Sequence, residues 1–285
     1  MAEAYKKNLQ QFVSTTERKF PIRIFYGDRG SGKTSAVVAI AQEDMYGENA
    51  DWALEQANAE VAELNAKGFH VSPPKSEHLV YCAKPLTIDV ESPDFGHRVS
   101  LELDPNRLGI ATEEDFIPQF VYRGSTLVID ELPKYFSSRA WQKFFDGMSL
   151  YWSESRKHKI KMYATCQYMD QVEKSIRCHA QITYVHGIEY VYDKFGDVIQ
   201  SIWTLDNWER YGDWETKKKP TREIYVYNGD IRQAYDTNEG EEDYYIGLEK
   251  SDFSCEHSKR VEYTPEAIAE YAKKMQSSAS NRETK

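Results

Sequence analysis

Short apolar runs alternate with stretches of helical character along much of the chain. Four of these runs, rich in β-branched and aromatic residues, occupy residues 21–25, 78–83, 125–129 and 160–165. Each run is typical of a buried strand. Residues 33–43 are helix-prone, and residues 50–67 place apolar side chains three and four positions apart, which predicts helices. Strands that alternate with helices predict an α/β fold built on a mainly parallel sheet.

The same pattern predicts four regions along the chain. They are a helical lead, a core with a helical insertion at about 50–67, a small β-rich extension, and a C-terminal helix with a disordered tail, at residues 1–20, 21–190, 191–248 and 249–285. The insertion carries a single apolar stripe formed by Leu54, Ala57, Val61 and Leu64. Such a stripe favours a helix packed on its own domain over an intersubunit coiled coil.

Local patterns in the later part of the chain predict further elements. Helices are expected at 141–152 and at 170–176, the second closed by Arg177. Strands are expected at 181–191, 198–203 and 222–227. Three aromatic residues are predicted to lie in a polar loop before the last of these strands, namely Trp208, Tyr211 and Trp214.

Composition narrows the function classes. The 285 residues carry a formal net charge of −10, which disfavours a protein that coats nucleic acid but leaves a local basic groove open. Twenty tyrosines and six tryptophans fit a surface rich in partner contacts or a well-packed core. The four cysteines form no C-x-x-C pair, which indicates a reducing, cytosolic location without a zinc site or disulfide framework. No membrane-spanning run or signal peptide is recognised, which predicts a soluble protein.

A glycine-rich segment joins the first predicted strand to the first predicted helix. Gly27 and Gly32-Lys33-Thr34 match the phosphate-binding loop pattern G-x-x-x-x-G-K-[ST] in the required strand–loop–helix setting. Its backbone N–H groups can point at phosphate oxygens, and the helix adds its positive end. Lys33 can reach the β- and γ-phosphates, and the Thr34 hydroxyl can hold Mg²⁺. The residues expected to bind the nucleotide are Gly27, Asp28, Arg29, Gly30, Ser31, Gly32, Lys33, Thr34 and Ser35.

Two carboxylates come directly after the predicted strand at 125–129. Asp130 is expected to hold the Mg²⁺ hydration shell, and Glu131 is expected to polarise the attacking water. Gln167 follows the strand at 160–165, where a polar side chain can hydrogen-bond the γ-phosphate or the water. Ordinary loop chemistry is the alternative for Gln167. Together with the phosphate-binding loop, these residues predict a P-loop NTPase.

Other classes of P-loop protein fit less well. A GTPase would carry an Asn-Lys-x-Asp motif for the guanine base, and the sequence has none. A small-molecule kinase would need a pocket for its acceptor and usually an Arg-rich lid. The adjacent acid pair, the strand-end glutamine and the basic segment between them suit an additional-strand ATPase that drives a mechanical task.

The sequence resembles the zonula-occludens-toxin-like ATPases, which assemble and export filamentous phages, within the wider FtsK–HerA class of DNA-pumping ATPases. The resemblance covers roughly residues 21–190 and rests on the order of Ile129-Asp130-Glu131, Glu154-Ser155-Arg156-Lys157-His158, Tyr163-Ala164-Thr165-Cys166-Gln167 and Val172 to Arg177. That class includes genome-packaging ATPases of membrane-containing viruses. The phage assembly proteins usually carry a membrane-spanning helix after the ATPase domain, and this sequence shows none.

The resemblance implies ATP and Mg²⁺ as cofactors and a homo-oligomeric ring that couples hydrolysis to DNA translocation or packaging, or to virion assembly and export. It implies that an arginine from a neighbouring subunit stabilises the transferring phosphate, with Arg156 and Arg177 as candidates and Arg139 as a third. Implied partners are DNA and virion or membrane-embedded assembly proteins. The implied location is the cytoplasm, that of the host for a viral protein, or the periphery of a membrane or virion.

Two questions stay open at this stage. The basic patch formed by Arg156, Lys157, Lys159 and Lys161 fits contacts with DNA phosphates or a solvated face. An ATP-dependent assembly switch that acts on protein partners without moving DNA is the alternative function, and a small-molecule kinase is a third. DNA-stimulated turnover would distinguish the motor from the switch.

Overall fold

The computed structural model describes residues 22–45, 47–74, 79–83, 87–88, 98–111, 114–140, 142, 144 and 146–233. The predictions for the helical lead at 1–20 and for residues 234–285, including the C-terminal helix and tail, lie outside the described residues.

The described chain contains alternating strands and helices. The helices are α1 (Lys33–Glu43), α2 (Gly47–Ala66), α3 (Asp146–Glu154), α4 (Lys174–Arg177) and α5 (Tyr211–Glu215). The strands are β1 (Ile22–Tyr26), β2 (Val80–Cys82), β3 (Thr87–Ile88), β4 (Arg98–Val99), β5 (Leu101–Glu102), β6 (Thr126–Ile129), β7 (Lys161–Cys166), β8 (Gln181–Tyr192), β9 (Val198–Trp208) and β10 (Thr221–Asn228). Single 3-10 turns lie at Pro105–Arg107, Leu132–Lys134, Met169–Gln171 and Ile231–Gln233.

Eight of these strands form one sheet in the order β10-β9-β8-β1-β7-β6-β2-β5. The pairs from β8 through β5 are parallel, whereas β8–β9 and β9–β10 are antiparallel. β7 is inserted between β1, which leads into the phosphate-binding loop, and β6, which precedes the acid pair. This order confirms the predicted α/β fold of the additional-strand type, with a β-rich C-terminal part that adds the antiparallel strands β9 and β10.

Both faces of the central strands are buried. Phe25 of β1 packs with the apolar residues of α1 on one face of the sheet. Ile22 and Ile24 pack on the other face in a cluster with Phe136 and Trp152. Because alternate side chains of β1 point to opposite faces, this strand is held from both sides and fixes the start of the loop that follows it.

A buried polar ladder joins β1 to the antiparallel strands. Arg23 Nε donates to Thr183 Oγ1 at 2.9 Å, and Arg23 Nη2 donates to Asn207 Oδ1 at 3.0 Å and to Glu223 Oε2 at 3.2 Å. These four residues lie on β1, β8, β9 and β10. The antiparallel strands therefore continue the sheet of the core, and the predicted boundary at residue 190 falls inside β8.

The helix predicted at 50–67 is observed as α2, and it packs on its own chain. Ala53 and Ala57 are buried against Leu79, beside the partly buried Trp52 and Tyr122. The helix begins at Gly47, a few positions before the predicted start. Among the described residues, no helix combines the length and the apolar character that a membrane crossing requires.

Two predicted helices are corrected. The helix expected at 141–152 begins at Asp146, and Phe144 contributes to the core from the segment before it, with its ring centroid 5.9 Å from that of Phe136. The helix expected at 170–176 is broken into the turn Met169–Gln171 and α4. It breaks because Val172 pairs with Ser137 in an isolated β-bridge, and this tertiary pairing overrides local helical propensity.

The aromatic segment before β10 is also more regular than the predicted polar loop. Trp208 ends β9, which runs five residues past the predicted strand end because it pairs with β10 along its length. Tyr211 and Trp214 lie on the short helix α5. The Trp214 indole donates to Tyr26 Oη at 2.7 Å, which attaches α5 to the end of β1.

Candidate active site

The phosphate-binding loop sits at the carboxyl end of β1, and its two defining glycines have no room for a side chain. A Cβ atom at Gly27 would lie 2.7 Å from the Val185 carbonyl oxygen. Gly32, the residue that caps α1, has a φ of +84°, and a Cβ there would lie 3.1 Å from Ile188 Cβ. Close approach to the backbone of β8 thus requires glycine at position 27, whereas at Gly32 the left-handed conformation favours glycine and the Ile188 side chain leaves little room for a Cβ atom.

The Lys33 ammonium folds back over this loop. Its Nζ donates to the carbonyl oxygens of Gly27 at 3.0 Å and of Asp28 at 2.8 Å. Partial burial lowers the pKa of Lys33, and the negative charge of Asp130 acts in the opposite direction. An ammonium has three donors, so a phosphate oxygen is a further acceptor that this group can take.

The first turn of α1 meets the ends of β6 and β7 at one carboxylate oxygen. Thr34 Oγ1 donates to Asp130 Oδ1 at 2.9 Å, and Thr165 Oγ1 donates to the same oxygen at 2.6 Å. Asp130 follows β6, and Thr165 belongs to β7, which lies beside it. The predicted magnesium pair, Thr34 and Asp130, is therefore brought together by three separate elements of the fold.

This oxygen pair fits a magnesium ion. Adjacent ligands of an octahedral ion with bonds of about 2.0–2.1 Å are about 3 Å apart, close to the distance between the Thr34 and Asp130 oxygens. Among the described residues, no group of three or more His, Cys, Asp or Glu side chains is placed to hold a metal. Few protein ligands are typical of Mg²⁺, which is usually bound by one or two carboxylates together with water and substrate phosphates.

Glu131 has an unusual backbone conformation. Its φ is +52°, in the left-handed region, where a residue with a side chain costs of order 1–3 kcal/mol. Its N–H donates to Thr165 Oγ1 at 2.8 Å, and its side chain is exposed at the end of the strand. β6 ends two residues earlier, at Ile129, so Glu131 lies beyond the carboxyl end of this strand, on the side of the sheet where the phosphate-binding loop also follows β1.

Gln167 lies at the same edge. It follows Cys166, which pairs with Tyr26 at the end of β1, and its side chain is exposed. Burial raises the pKa of the neighbouring Cys166 thiol to about 12, so this thiol stays protonated at physiological pH. The edge formed by the carboxyl ends of β1, β7 and β6 therefore gathers the loop, the acid pair and Gln167.

The three candidate arginines occupy different places. Arg139 follows β6 on an exposed segment whose Ser138 Oγ donates to the Asp170 carbonyl oxygen at 2.8 Å. Arg156 precedes β7 and lines a groove of about 600 Å³ with Ile22, the first residue of β1. Because β1 and β7 are parallel, Arg156 lies at the opposite edge of the sheet from the phosphate-binding loop.

Arg177 is held within its own chain. Its Nη1 donates to the Met169 carbonyl oxygen at 3.0 Å, and its Cζ lies 5.1 Å from the centroid of the Tyr211 ring. A guanidinium stacked in this way has lost part of the freedom that contact with another subunit would need.

The basic patch is partly neutralised. Lys161 Nζ lies 2.6 Å from Asp44 Oδ1 in a pair whose side chains are 15% and 6% exposed. Lys157 pairs with Glu154, and Lys159 donates to Gln56 Oε1 at 2.5 Å. Its four cationic side chains therefore do not form one free surface.

Thr165 is a further candidate site residue, which no sequence motif indicates. It bonds both members of the acid pair, through the Asp130 carboxylate and the Glu131 backbone N–H. The sequence shows only that Thr165 lies near the end of the strand next to the one that precedes the acid pair. A hydroxyl there becomes informative only once the register pairs Ile129 with Ala164 and so sets Thr165 beside Asp130.

These features define the class. A glycine-rich loop leads from β1 into α1. An acid pair follows β6, which is separated from β1 by the inserted strand β7. This is the arrangement of an additional-strand P-loop NTPase. A family model described as zonular occludens toxin (Zot) matches residues 21–192. The chain belongs to the Zot family.

Solved structures that resemble this chain include a bacterial toxin domain and viral genome-packaging proteins. The N-terminal domain of zonular occludens toxin from Neisseria meningitidis has a TM-score of 0.44 and 15% identity, covering 76% of this chain and 99% of that chain. The genome packaging NTPase B204 from Sulfolobus turreted icosahedral virus 2, in complex with ATP-gammaS, has a TM-score of 0.33 and 11% identity, covering 72% and 96%. The DNA-packaging ATPase B204 from Sulfolobus turreted icosahedral virus has a TM-score of 0.32 and 9% identity, covering 74% of this chain and 98% of that chain. No curated protein sequence matches the chain.

Proposed function

We propose that this protein is a Mg²⁺-dependent ATPase that works as an oligomer and couples hydrolysis to DNA movement or to virion assembly and export. The observation that carries the proposal is the convergence of Thr34 and Thr165 on one oxygen of Asp130, at 2.9 and 2.6 Å. A P-loop used only as a structural turn would have no need to bring a helix and two strands together at a single carboxylate.

The nucleotide would be held mainly through its phosphates. The loop offers backbone N–H groups and the N-terminal end of α1, and Lys33 offers an ammonium that is already oriented by two carbonyl oxygens. Thr34 and Asp130 would hold Mg²⁺, which neutralises charge on the transferring phosphate. Adenine is proposed because the sequence lacks the motif that reads guanine.

Hydrolysis would use the exposed carboxylate of Glu131. This group accepts a proton from a water molecule as the water attacks the γ-phosphorus, the bond to the bridging oxygen breaks, and ADP and phosphate leave. The bond from its N–H to Thr165 fixes the backbone at this residue. Gln167, exposed at the same edge, would orient the water or contact the γ-phosphate.

An arginine supplied by a neighbouring subunit would complete the site. Arg156 lies at the sheet edge opposite the loop of its own chain, so it could serve only the site of another copy. Its exposure supports this role, whereas the contacts of Arg177 with Met169 and Tyr211 favour a structural one. Arg139 is the alternative at the carboxyl edge.

The test is ATP turnover by the purified full chain, with and without double- and single-stranded DNA. Glu131→Gln should lower turnover by about 100-fold or more, since general base catalysis contributes 10²–10⁴-fold, while nucleotide binding is kept. Glu55→Gln, on the exposed face of α2, is the matched control and should turn over like the wild type.

The effect of DNA on turnover distinguishes DNA movement from virion assembly and export. Stimulation of turnover by DNA that disappears in Glu131→Gln supports the motor. Turnover that ignores DNA supports an assembly function through protein partners. Tight nucleotide binding without any turnover, by the chain alone and with added DNA, would contradict the ATPase proposal and leave a nucleotide-dependent switch.

A further inference from the structure

A tryptophan from the antiparallel strands reaches the phosphate-binding loop. Trp203 lies on β9 and is completely buried, and its indole Nε1 donates to the Gly32 carbonyl oxygen at 3.1 Å. Tyr225 of β10 packs behind it, with ring centroids 5.6 Å apart. The contact joins residues 171 positions apart, so it is created by the sheet and not by local sequence.

The Gly32 carbonyl is held by three donors. Besides Trp203 Nε1, it accepts the Ala36 N–H at 2.9 Å, as the first bond of α1, and the Ser35 hydroxyl at 2.9 Å. A planar trans peptide points its carbonyl and its N–H in opposite directions. Fixing the Gly32 carbonyl therefore aims the Lys33 N–H away from Trp203, towards the open side of the loop.

The neighbouring strands support the same part of the loop and helix. Ile188 of β8 lies so close to Gly32 that a Cβ atom there would approach its Cβ and Cγ2 to 3.1 Å. At the other end of α1, Tyr225 Oη donates to Glu43 Oε1 at 2.9 Å. The strands β8 to β10 thus contact the first turn of α1 at Gly32 and the last turn at Glu43.

We propose that Trp203 is a positioning residue of the nucleotide site and that the antiparallel strands are part of that site. Its hydrogen bond holds the Gly32–Lys33 peptide in the orientation that presents the Lys33 N–H to an anion. The proposal rests on the proposed binding of nucleotide phosphates by this loop. It adds a residue that no phosphate-loop motif contains.

The test compares two buried tryptophans. Trp203→Phe removes the indole N–H that bonds Gly32, and Trp152→Phe removes one from a side chain that is 2% exposed and whose Nε1 has no hydrogen-bond partner among the described residues. We measure the dissociation constant for Mg²⁺·ADP by calorimetry, and the amide hydrogen exchange of residues 28–36 without nucleotide.

Trp203→Phe should weaken ADP binding about 2- to 10-fold, the effect expected for one hydrogen bond, and should speed exchange in the loop. Trp152→Phe should leave both quantities within twofold of the wild type. Equal affinities and equal exchange rates in the two variants, or equal losses in both, would overturn the proposal. If the wild type binds no nucleotide, the proposed function fails, and the exchange rates alone decide the role of Trp203.

Thermal unfolding of both variants checks that they fold. If Trp203→Phe does not fold, Ile188→Ala tests the support from β8, because it removes Cγ2, one of the two Ile188 atoms closest to Gly32, and keeps Cβ. Faster exchange in residues 28–36 of this variant supports the proposal, and unchanged exchange contradicts it.

Discussion

Thr34 donates a hydrogen bond to Asp130 across 2.9 Å, although the two residues are 96 positions apart and β7 lies between the strands that lead to them. Thr165, from the intervening strand, bonds the same oxygen. The arrangement of the proposed magnesium pair therefore involves the register of β7 as well as the phosphate-binding loop.

Replacing Thr165 by valine should impair turnover. The change keeps the shape of the side chain but removes both the donor to Asp130 and the acceptor for the Glu131 N–H. Hydrogen bonds to charged groups contribute about 1.5–3 kcal/mol, so kcat/KM for ATP should fall about ten- to a hundredfold. The loss should be larger at low Mg²⁺ concentration, which a titration of turnover against Mg²⁺ measures.

Thr165→Ser is the control, because it keeps the hydroxyl and loses only a methyl group. It should retain most of the turnover and the magnesium dependence of the wild type. A valine variant as active as the serine variant at every Mg²⁺ concentration would show that Asp130 does not need this bond.

Mixing two inactive variants should restore activity if Arg156 acts on a neighbouring subunit. Lys33→Ala disables the loop but keeps Arg156, and Arg156→Ala keeps the loop but lacks the arginine. An assembly that contains both has some interfaces where an intact loop meets an intact Arg156, so turnover should reappear.

Mixing Lys33→Ala with Glu131→Gln supplies the matched control. Both residues belong to the same subunit's half of the site, so no interface of this mixture is complete and turnover should stay absent. Full activity of Arg156→Ala alone would exclude Arg156, and the same pairing would then be made with Arg139→Ala and Arg177→Ala.

Binding of ATP should be accompanied by proton uptake at alkaline pH. Burial lowers the pKa of Lys33 below that of an ordinary lysine, which is about 10.4. Phosphates beside Nζ favour the charged form and raise this pKa, so between the two values binding adds a proton. Folding of the nucleotide-free protein has the opposite effect on this group, because it releases a proton from Lys33. The folded state binds fewer protons than the unfolded state in this alkaline range, so the stability of the free protein rises with pH there.

Calorimetry in buffers with different ionisation enthalpies measures this uptake. The binding enthalpy should depend on the buffer at alkaline pH and become independent of it near neutral pH. In Lys33→Arg the dependence should vanish, because a guanidinium remains charged throughout the range. A buffer dependence that persists in the arginine variant would assign the proton to another group.

Removing Arg23 should destabilise the sheet strongly. Its side chain is 4% exposed and pairs with Glu223, which is 7% exposed, so Arg23→Met leaves a buried carboxylate without its cation. The expected loss is about 3–5 kcal/mol in the free energy of unfolding, measured by urea titration. The double variant Arg23→Met/Glu223→Met should lose less than the single variants predict together.

Arg222→Met is the comparison for this variant. Arg222 also pairs with an acid across the antiparallel strands, Asp206 at 2.8 Å, but its side chain is 63% exposed. Solvent screens such a pair, so its loss should change stability far less than the loss of Arg23. Equal effects of the two arginines would contradict the importance of burial in the ladder.

The sequence was most informative where a motif is local. The phosphate-binding loop and the acid pair were predicted because each depends on adjacent residues that follow an apolar strand. The insertion of β7 between β1 and β6 followed from the class of protein that these motifs indicated, and the strand order confirms it.

Features that depend on distant pairings could not be predicted in the same way. The helix expected at 170–176 is broken by the bridge between Val172 and Ser137, which no local pattern encodes. Thr165 is an ordinary strand residue until its register with β6 is known. The contact of Trp203 with Gly32 likewise requires the order of β8, β9 and β1.

The hydrogen bonds of Arg23 also determine when the sheet can be completed during synthesis of the chain. The strand that leads into the loop is made before the strands that support it, because its arginine is joined to Glu223, 200 residues later. A nascent chain that has emerged only as far as Tyr192, where the family match ends, lacks both Asn207 and Glu223 and exposes the edge of β8. The loop can reach its final support only after β10 has left the ribosome, so this sheet cannot be completed while β1 to β8 alone have been synthesised.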